Sequence, residues 1–225
     1  MVTLILADGD APSRAFLDTA WPGWLDSVGL VVAADGGARH AAALGLDVGL
    51  WVGDGDSVDP DTLAALDARG VEVRRARPDK DESDTELAVR AALAVDPDGI
   101  IVVGATGGPR IDHELANIGL LAMPELGGRV AWLYGPRSRI GRLRQPGGPG
   151  EVRLAGRPGD TVSLLPFGGD VRGVTTTGLR YPLRDEDLVM GPPRGLSNVI
   201  DASDAGVSIR AGLLLVVETP ATIHP

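Results

Sequence analysis

The stretch "LVVAADGGARHAAALG", residues 30–45, passes from an apolar run through two glycines into a helix-like run. Its apolar part shows no alternation of polar and apolar residues, which is typical of a strand buried on both faces of a parallel sheet. A strand followed by a helix is the repeating unit of α/β sheets. This stretch therefore predicts one strand–helix unit of such a sheet.

The same alternation repeats along the first part of the chain. Apolar, strand-like runs occupy residues 2–8, 30–35, 50–54, 71–76, 100–105 and 129–135. Helix-like stretches occupy residues 36–45, 59–69, 83–95 and 112–123. The pattern predicts an α/β domain over residues 1–145, with a mostly parallel, Rossmann-like sheet.

The pattern changes after "QPGGPG" (145–150), a cluster of turn-forming residues typical of a linker. Short strand-like segments with turn signals follow, and they show almost no helical period. We therefore expect an all-β domain, a sandwich or a barrel, over residues 151–225.

Composition limits the classes of function. The chain has 225 residues, a formal charge of −10 and no cysteine, which excludes disulfides and cysteine-bound zinc and fits a cytoplasmic protein. It has no apolar run near the roughly 18 residues of a membrane span, so no membrane segment is expected. Its negative charge argues against nucleic-acid binding, and a bound nucleotide would need a metal ion as intermediary.

Carboxylates follow several of the predicted strands. Asp8, Asp35, and the pair Asp54 and Asp56 stand where apolar runs stop. Because open α/β sheets bind ligands at the carboxyl ends of their strands, these side chains should share one crevice. Mg²⁺ is the cation that suits such oxygen ligands. The alternative for each single aspartate is a solvated turn, but the set as a whole favours a metal–phosphate site.

The segment "DKDESDTELAV" (79–89) places five carboxylates around Lys80, the only lysine in the chain. Ser83 and Glu86 have the spacing of a capping box, in which Ser83 caps the helix and Glu86 reaches back. Capping does not explain Lys80 and Asp81, which precede it. Asp81 is therefore a further candidate for the metal site. Lys80 either neutralises a phosphate or pairs with an acid, and the sequence leaves both open.

Two glycine-containing turns, "AADGGARH" (33–40) and "GATGGPRIDH" (104–113), follow strand-like runs and precede helices. Such turns let backbone N–H groups approach a phosphate, although glycine also serves simply to turn the chain. Arg110, Arg137 and Arg139 are candidates to bind phosphate oxygens, and ordinary surface arginine is the alternative for the last two.

Six segments in order resemble the thiamine pyrophosphokinase family: "ADGGARH", "GDGDS", "DKDESDTELA", "GGPRIDHELANI", "TTGLRYPL" and "GLSNVI". The resemblance implies an N-terminal catalytic domain that binds Mg²⁺ and ATP, and a C-terminal β domain that contributes the thiamine site and the dimer interface. It implies a homodimer with active sites between subunits. The implied reaction is ATP-dependent transfer of pyrophosphate to thiamine, which yields thiamine diphosphate and AMP.

The resemblance assigns roles by position within these motifs. The implied catalytic residues are Asp54, Asp56, Lys80, Asp81 and Asp84, of which Asp54, Asp56 and Asp81 are the Mg²⁺ ligands. The implied ATP-binding residues are Asp35, Gly36, Gly37, Thr106, Gly107, Arg110, Asp112, His113 and Asn117. The implied thiamine contacts are Tyr181, Ser197 and Asn198. Two alternatives stay open: a phosphotransferase for another alcohol, and a nucleotide-sensing protein without activity.

Overall fold

The computed structural model describes residues 1–148 and 150–221, and the chain forms two compact units. The first unit comprises Met1–Leu120 with Leu133–Pro136. The second comprises Leu121–Trp132 with Arg137–Pro225, described as far as residue 221.

The first unit alternates strands and helices, as its sequence predicts. Its strands are β1 (Val2–Leu6), β2 (Val28–Ala34), β3 (Leu50–Gly53), β4 (Glu72–Arg75) and β5 (Gly99–Val103). Its α-helices are α1 (Arg14–Ala20), α2 (His40–Leu44), α3 (Pro60–Ala68), α4 (Asp84–Leu93) and α5 (Ile111–Gly119). A 3-10 helix, Asp35–Arg39, joins β2 to α2.

These five strands form a parallel array in the order β4–β3–β2–β1–β5. The prediction of a mostly parallel, Rossmann-like N-terminal sheet is confirmed. Successive strands β1 to β4 step away in one direction, whereas β5 pairs with the other edge of β1. The carboxyl ends of the strands next to this reversal are where α/β sheets bind ligands.

Burial explains why the apolar runs become strands and why α4 packs where it does. All five residues of β5 are buried, as are the last four of β1. Helix α4 buries Ala88, Val89 and Ala92 and packs against β1, β2 and β3. Its predicted cap is present, since the Ser83 side chain accepts a hydrogen bond from the backbone N–H of Glu86 (3.1 Å). The Glu86 side chain instead accepts from Arg90, one turn later.

Helix α1 was not predicted from the sequence. The Ser13 side chain caps it by accepting from the N–H of Phe16 (3.1 Å), and Leu17 is its buried residue. The Trp24 indole donates a hydrogen bond to Asp18 on this helix (2.9 Å). The helix has only seven residues, so its apolar period is too short to recognise in the sequence.

The second unit is antiparallel β structure, which confirms the predicted all-β C-terminal part. Strand β6 (Val130–Tyr134) lies where the chain passes between the units. The remaining strands are β7 (Arg139–Gln145), β8 (Glu151–Arg153), β9 (Thr161–Pro166), β10 (Val171–Thr177), β11 (Glu186–Leu188), β12 (Asn198–Val199), β13 (Gly206–Ser208) and β14 (Gly212–Thr219).

Two antiparallel arrays make up this unit: β12–β9–β14–β7 and β11–β10–β13–β8. One apolar core contains residues from both, for example Leu164 and Leu214 from the first and Val174 and Val207 from the second. The shared core is that of a sandwich.

A buried ion pair in the second unit joins β7 to β14 and holds the segment that follows β8. The Arg139 guanidinium contacts Glu218 Oε1 at 2.5 Å, and the exposed side-chain fractions are 7% and 0%. The other Glu218 oxygen accepts from the N–H groups of Ala155 (2.9 Å) and Gly156 (2.8 Å), and Arg139 stacks on the Trp132 ring. Arg139 is thus not the surface or phosphate-binding residue that its position suggested.

Among the described residues, every helix is too short or too polar to cross a membrane.

Candidate active site

Asp35 organises the loop that follows β3. It lies at the end of β2 with a positive φ of 43°, and only 3% of it is exposed. One carboxylate oxygen accepts from the N–H of Gly55 (3.0 Å) and the other from the N–H of Ser57 (3.0 Å). The Trp51 indole donates to the Asp35 carbonyl (3.0 Å). The buried carboxylate therefore sets the path of residues 54–57.

Lys80 pairs with two of the predicted acidic residues, Asp54 and Asp84. Its Nζ is 2.6 Å from Asp54 Oδ2 and 3.1 Å from Asp84 Oδ1, and its side chain is 12% exposed. One oxygen from each of Asp35, Asp54 and Asp84 lies within 4.8 Å of the others. The ends of β2 and β3 and the start of α4 thus bring three carboxylates together, and the Lys80 ammonium group pairs with two of them.

The surroundings shift the pKa values of these groups in different directions. The hydrogen bond from Lys80 lowers the pKa of Asp54. Burial raises the pKa of Asp84, and Lys80 offsets only part of that increase. Burial also acts to lower the pKa of Lys80, but the nearby carboxylates of Asp54 and Asp84 outweigh burial and raise it. Lys80 therefore stays charged at neutral pH.

This group of carboxylates fits a hard divalent cation. Mg²⁺ prefers carboxylate and phosphate oxygens, and all three side chains offer carboxylate oxygens. Asp84 Oδ1 is buried and has no partner with hydrogen-bond geometry, although it lies 3.1 Å from Lys80 Nζ. A buried oxygen that lacks a well-directed donor suits a cation ligand.

The other two predicted metal ligands, Asp56 and Asp81, are exposed and lie outside this group of three. Asp56 accepts a hydrogen bond from the Ser57 hydroxyl (2.9 Å), and its N–H donates to Asp54 (3.2 Å). Both carboxylates are open to a ligand from solvent. Their role as metal ligands stays a prediction.

The loops after β1 and β5 are joined at the point where the strand order reverses. The N–H of Asp10 donates to the Thr106 carbonyl (3.2 Å), and the Asp10 side chain accepts from the N–H of Gly108 (3.0 Å). The Asn117 amide donates to the Ala105 carbonyl (2.9 Å) from helix α5. Asn117 thus ties helix α5 to the loop that carries Thr106, and the predicted contact of both residues with ATP stays a prediction.

Close packing explains three of the predicted nucleotide-binding glycines. A β-carbon at Gly36 would collide with the Asp8 carboxylate, and one at Gly37 with a backbone carbonyl of β1. Gly107 has a φ of +81°, and a β-carbon there would lie 2.8 Å from Asp10. Each glycine lets neighbouring loops approach closely, whether or not its N–H also contacts phosphate.

Three polar residues near these loops were not predicted as site residues: Asp10, Arg39 and His40. Arg39 forms an ion pair with Asp8, and His40 Nε2 hydrogen-bonds the Gly9 carbonyl (2.9 Å). Burial lowers the pKa of His40. Asp10 could have been recognised as a candidate site residue from the sequence, because it follows the first predicted strand in the same acidic turn as Asp8. Nothing in the sequence identified the partners of Arg39 and His40.

Helix α5 exposes most of its surface. Arg110 and Asp112, both predicted to bind ATP, form a two-point ion pair (2.9 and 2.5 Å) with each side chain 62% exposed. His113 beside them is also exposed. On the same helix, the apolar residues Ile111 and Leu115 are 65% and 62% exposed. These charged and apolar groups are open to a ligand or a partner.

A cavity of about 690 Å³ opens beside Gly55, between α3 and β4. Its walls include the apolar side chains of Val58, Leu63 and Val73, and Arg75 also lines it. Gly55 has a φ of +86° and contributes no side chain to this space. A flat, mainly apolar group has room there, next to the loop that carries Asp54.

The three predicted thiamine contacts lie together in the second unit. The Asn198 side chain accepts from the N–H groups of Tyr181 (3.0 Å) and Val199 (2.9 Å) and donates to the Tyr181 carbonyl (2.7 Å). Asn198 is 7% exposed, whereas Tyr181 is 64% exposed. Ser197 is exposed, has a φ of +58° and donates its N–H to Ser163. Asn198 therefore positions the backbone that presents the tyrosine ring.

Two family models match the chain in sequence order. "Thiamin pyrophosphokinase, catalytic domain" matches residues 23–128, and "Thiamin pyrophosphokinase, vitamin B1 binding domain" matches residues 151–214. The first range contains Lys80, the three carboxylates near it (Asp35, Asp54 and Asp84) and the loops that carry them. The second contains Tyr181, Ser197 and Asn198.

Similar proteins agree with these matches. A thiamine pyrophosphokinase of Bacillus subtilis (strain 168) is 28% identical over 198 residues, which are 88% of this chain and 90% of the relative. A crystal structure of thiamine pyrophosphokinase from Bacillus subtilis superposes with a TM-score of 0.82 at 27% identity, covering 98% of this chain and 99% of that one. A thiamin pyrophosphokinase structure from Geobacillus thermodenitrificans gives 0.77 at 25% identity, covering 97% of both chains. With both family models matched in order and the fold shared along nearly its whole length, the chain belongs to the thiamin pyrophosphokinase family.

Proposed function

We propose that this chain transfers a pyrophosphoryl group from ATP to thiamine, giving thiamine diphosphate and AMP. The observation that carries the proposal is the group formed by Asp35, Asp54, Asp84 and Lys80 at the carboxyl ends of parallel strands. In a member of this family, such a group is suited to a magnesium–triphosphate complex.

Some of these residues are proposed to bind the metal ion of that complex, and others to position the metal-binding residues. Asp54, Asp56 and Asp81 are the proposed Mg²⁺ ligands, and the buried Oδ1 atom of Asp84, close to Asp54, is offered to the same ion. Asp35 acts as a positioning residue, because both of its oxygens are used by the loop that carries Asp54 and Asp56. When bound, Mg²⁺ supplies charge neutralisation at the phosphate oxygens.

The chemical step needs alignment more than covalent help from the protein. The thiamine hydroxyl oxygen attacks the β-phosphorus of ATP and releases its proton, the bond between this phosphorus and the bridging oxygen of the α-phosphate breaks, and AMP leaves with that oxygen. Arg110 is the proposed cation for phosphate oxygens, and its exposed pair with Asp112 must open or rotate for that contact. We place the adenine ring of ATP in the cavity beside Gly55, where the apolar side chains of Val58, Leu63 and Val73 can contact it.

Thiamine carries a fixed positive charge, which the acidic character of the chain favours. The proposed contacts are the ring of Tyr181, held by Asn198, and the exposed Ser197. An aromatic face can attract the thiazolium cation. We assign the thiamine site to the C-terminal domain, residues 151–225, and the nucleotide site to residues 1–145.

We further propose a cytoplasmic homodimer. The absence of cysteine from the sequence fits a reducing compartment. Exposed apolar residues support burial against a second copy: Ile111 and Leu115 in the first unit, and Val189 and Met190 in the second, are each at least half exposed.

One assay tests the proposed reaction. Purified protein is incubated with Mg²⁺, ATP and thiamine, and AMP and thiamine diphosphate are quantified, with reactions lacking thiamine as the control. Equal amounts of both products are expected. Turnover with another alcohol but not with thiamine would show that the acceptor substrate is not thiamine. Nucleotide binding without any turnover would indicate a nucleotide-sensing protein.

A further inference from the structure

Lys80 occupies the space that a metal cation bound by Asp54 and Asp84 would need. Its ammonium group is within 3.1 Å of oxygens from Asp54 and Asp84, and the carboxylate oxygens of the group lie within 4.8 Å of one another. The side chains of Lys80 and Asp54 are 12% and 9% exposed, so solvent screens them poorly. The arrangement is a compensated cluster built from the chain's only lysine.

Without that ammonium group, Asp54 and Asp84 would repel each other, with Asp35 adding to the repulsion. Carboxylates at such separations do not all stay ionised unless a cation compensates them. An ammonium group and a divalent ion both bind carboxylate oxygens, and the two cations repel. One cation at a time can therefore occupy the space between Asp54 and Asp84.

We propose that Lys80 is an internal substitute for the divalent cation: it neutralises Asp54 and Asp84 in the metal-free protein, and the incoming cation displaces it. The displaced ammonium group is then free to contact a phosphate oxygen. The sequence left two roles open for Lys80, neutralising a phosphate or pairing with an acid, and this inference makes them successive states of one side chain. It rests on the proposed metal site, but on neither ATP nor thiamine as substrate.

The first test compares Lys80→Gln with Arg77→Gln. Arg77 belongs to the same loop and pairs with Asp79 at 2.6 Å, but both of those side chains are largely exposed. Mg²⁺ binding is measured by calorimetry without nucleotide or thiamine. Lys80→Gln should bind Mg²⁺ about tenfold more tightly than wild type, because the competing cation is gone. Arg77→Gln should match wild type.

Thermal melting provides a second measurement on the same variants. In EDTA, Lys80→Gln should melt about 5 °C below wild type, because it leaves partly buried carboxylates uncompensated. Saturating Mg²⁺ should raise its melting temperature by more than that of wild type. Unchanged or weaker Mg²⁺ binding by a folded Lys80→Gln protein would overturn the proposal.

A third measurement needs no substitution. Because the chain has one lysine, protein grown with lysine labelled by ¹³C at Cε gives a single lysine Cε signal. On titration with Mg²⁺ alone, this signal should move toward the position of a solvated lysine. A signal that stays in place while calorimetry shows the metal site filled would overturn the proposal, even if Lys80→Gln fails to fold. None of these readouts depends on turnover, so they fail or succeed independently of the thiamine assignment.

Discussion

Replacing Asp35 with Asn isolates the part that one buried carboxylate plays in shaping the site. Asparagine tolerates the positive φ of this residue, so the backbone conformation remains available. It nevertheless keeps only one acceptor oxygen for the two N–H groups of Gly55 and Ser57. The other N–H would face the new amide NH₂ group, a donor opposite a donor.

The expected loss follows from these two hydrogen bonds. A hydrogen bond to a charged group contributes about 1.5–3 kcal/mol, and leaving a buried donor unsatisfied costs about 1–3 kcal/mol. We therefore expect Asp35→Asn to lower the free energy of unfolding by about 3 kcal/mol. For a chain of this length that corresponds to a fall of about 6–12 °C in melting temperature.

Activity should fall further than stability alone explains. The loop held by Asp35 carries Asp54 and Asp56, and misplacing such groups by about 1 Å can cost about 10²-fold in rate. The assay combines urea unfolding with kcat for AMP formation at a temperature where the variant is fully folded. Asp47→Asn, at a side chain 92% exposed, is the matched control and should leave both quantities unchanged. Wild-type stability and kcat in Asp35→Asn would refute the argument that this carboxylate holds the loop.

Three further predictions concern other parts of the molecule. Asp81→Asn should keep the fold and lower kcat by about 10²–10³-fold, since Asp81 is exposed and proposed to bind the metal; near-normal AMP formation would remove it from the site. Asn198→Ala should raise the KM for thiamine more than the KM for ATP, because it releases the backbone of Tyr181; equal effects on both would argue against this positioning role. Burial keeps the pKa of His40 below its usual value, so the unfolded chain takes up a proton there before the folded chain does. The free energy of unfolding should therefore fall as the pH drops below about 6.5, and less steeply in His40→Gln; identical slopes in urea titrations would contradict this.

The parallel sheet was predictable because its signal is local. Continuous apolar runs such as residues 100–103 become strands buried on both faces, and glycine turns follow them. Helix α1 carries too little periodicity in seven residues, and its capping by Ser13 is recognisable only once the helix is known. Strand β7 was likewise missed, because three arginines and a glutamine interrupt its apolar residues and because its pairing with β14 is distant in sequence.

The residues of the candidate site were easier to predict than their partners. The motifs singled out Asp35, Asp54, Lys80 and Asp84 by position after strands or before a helix. The structure shows that the three carboxylates lie close together and that Lys80 pairs with Asp54 and Asp84, which depends on how β2, β3 and α4 pack. Arg139 illustrates the limit: its partner Glu218 lies 79 residues away, so no local pattern could pair them.

The position of β14 in its sheet has a consequence for how the protein is made. This strand, Gly212–Thr219, lies between β7 and β9, yet it leaves the ribosome last of all the strands described here. The five parallel strands of the first unit are already synthesised by Val103, and domains tend to fold in the order in which they emerge. The sandwich therefore completes its hydrogen bonding only once β14 has been synthesised, so a nascent chain can fold the half proposed to bind the nucleotide before the half proposed to recognise the vitamin.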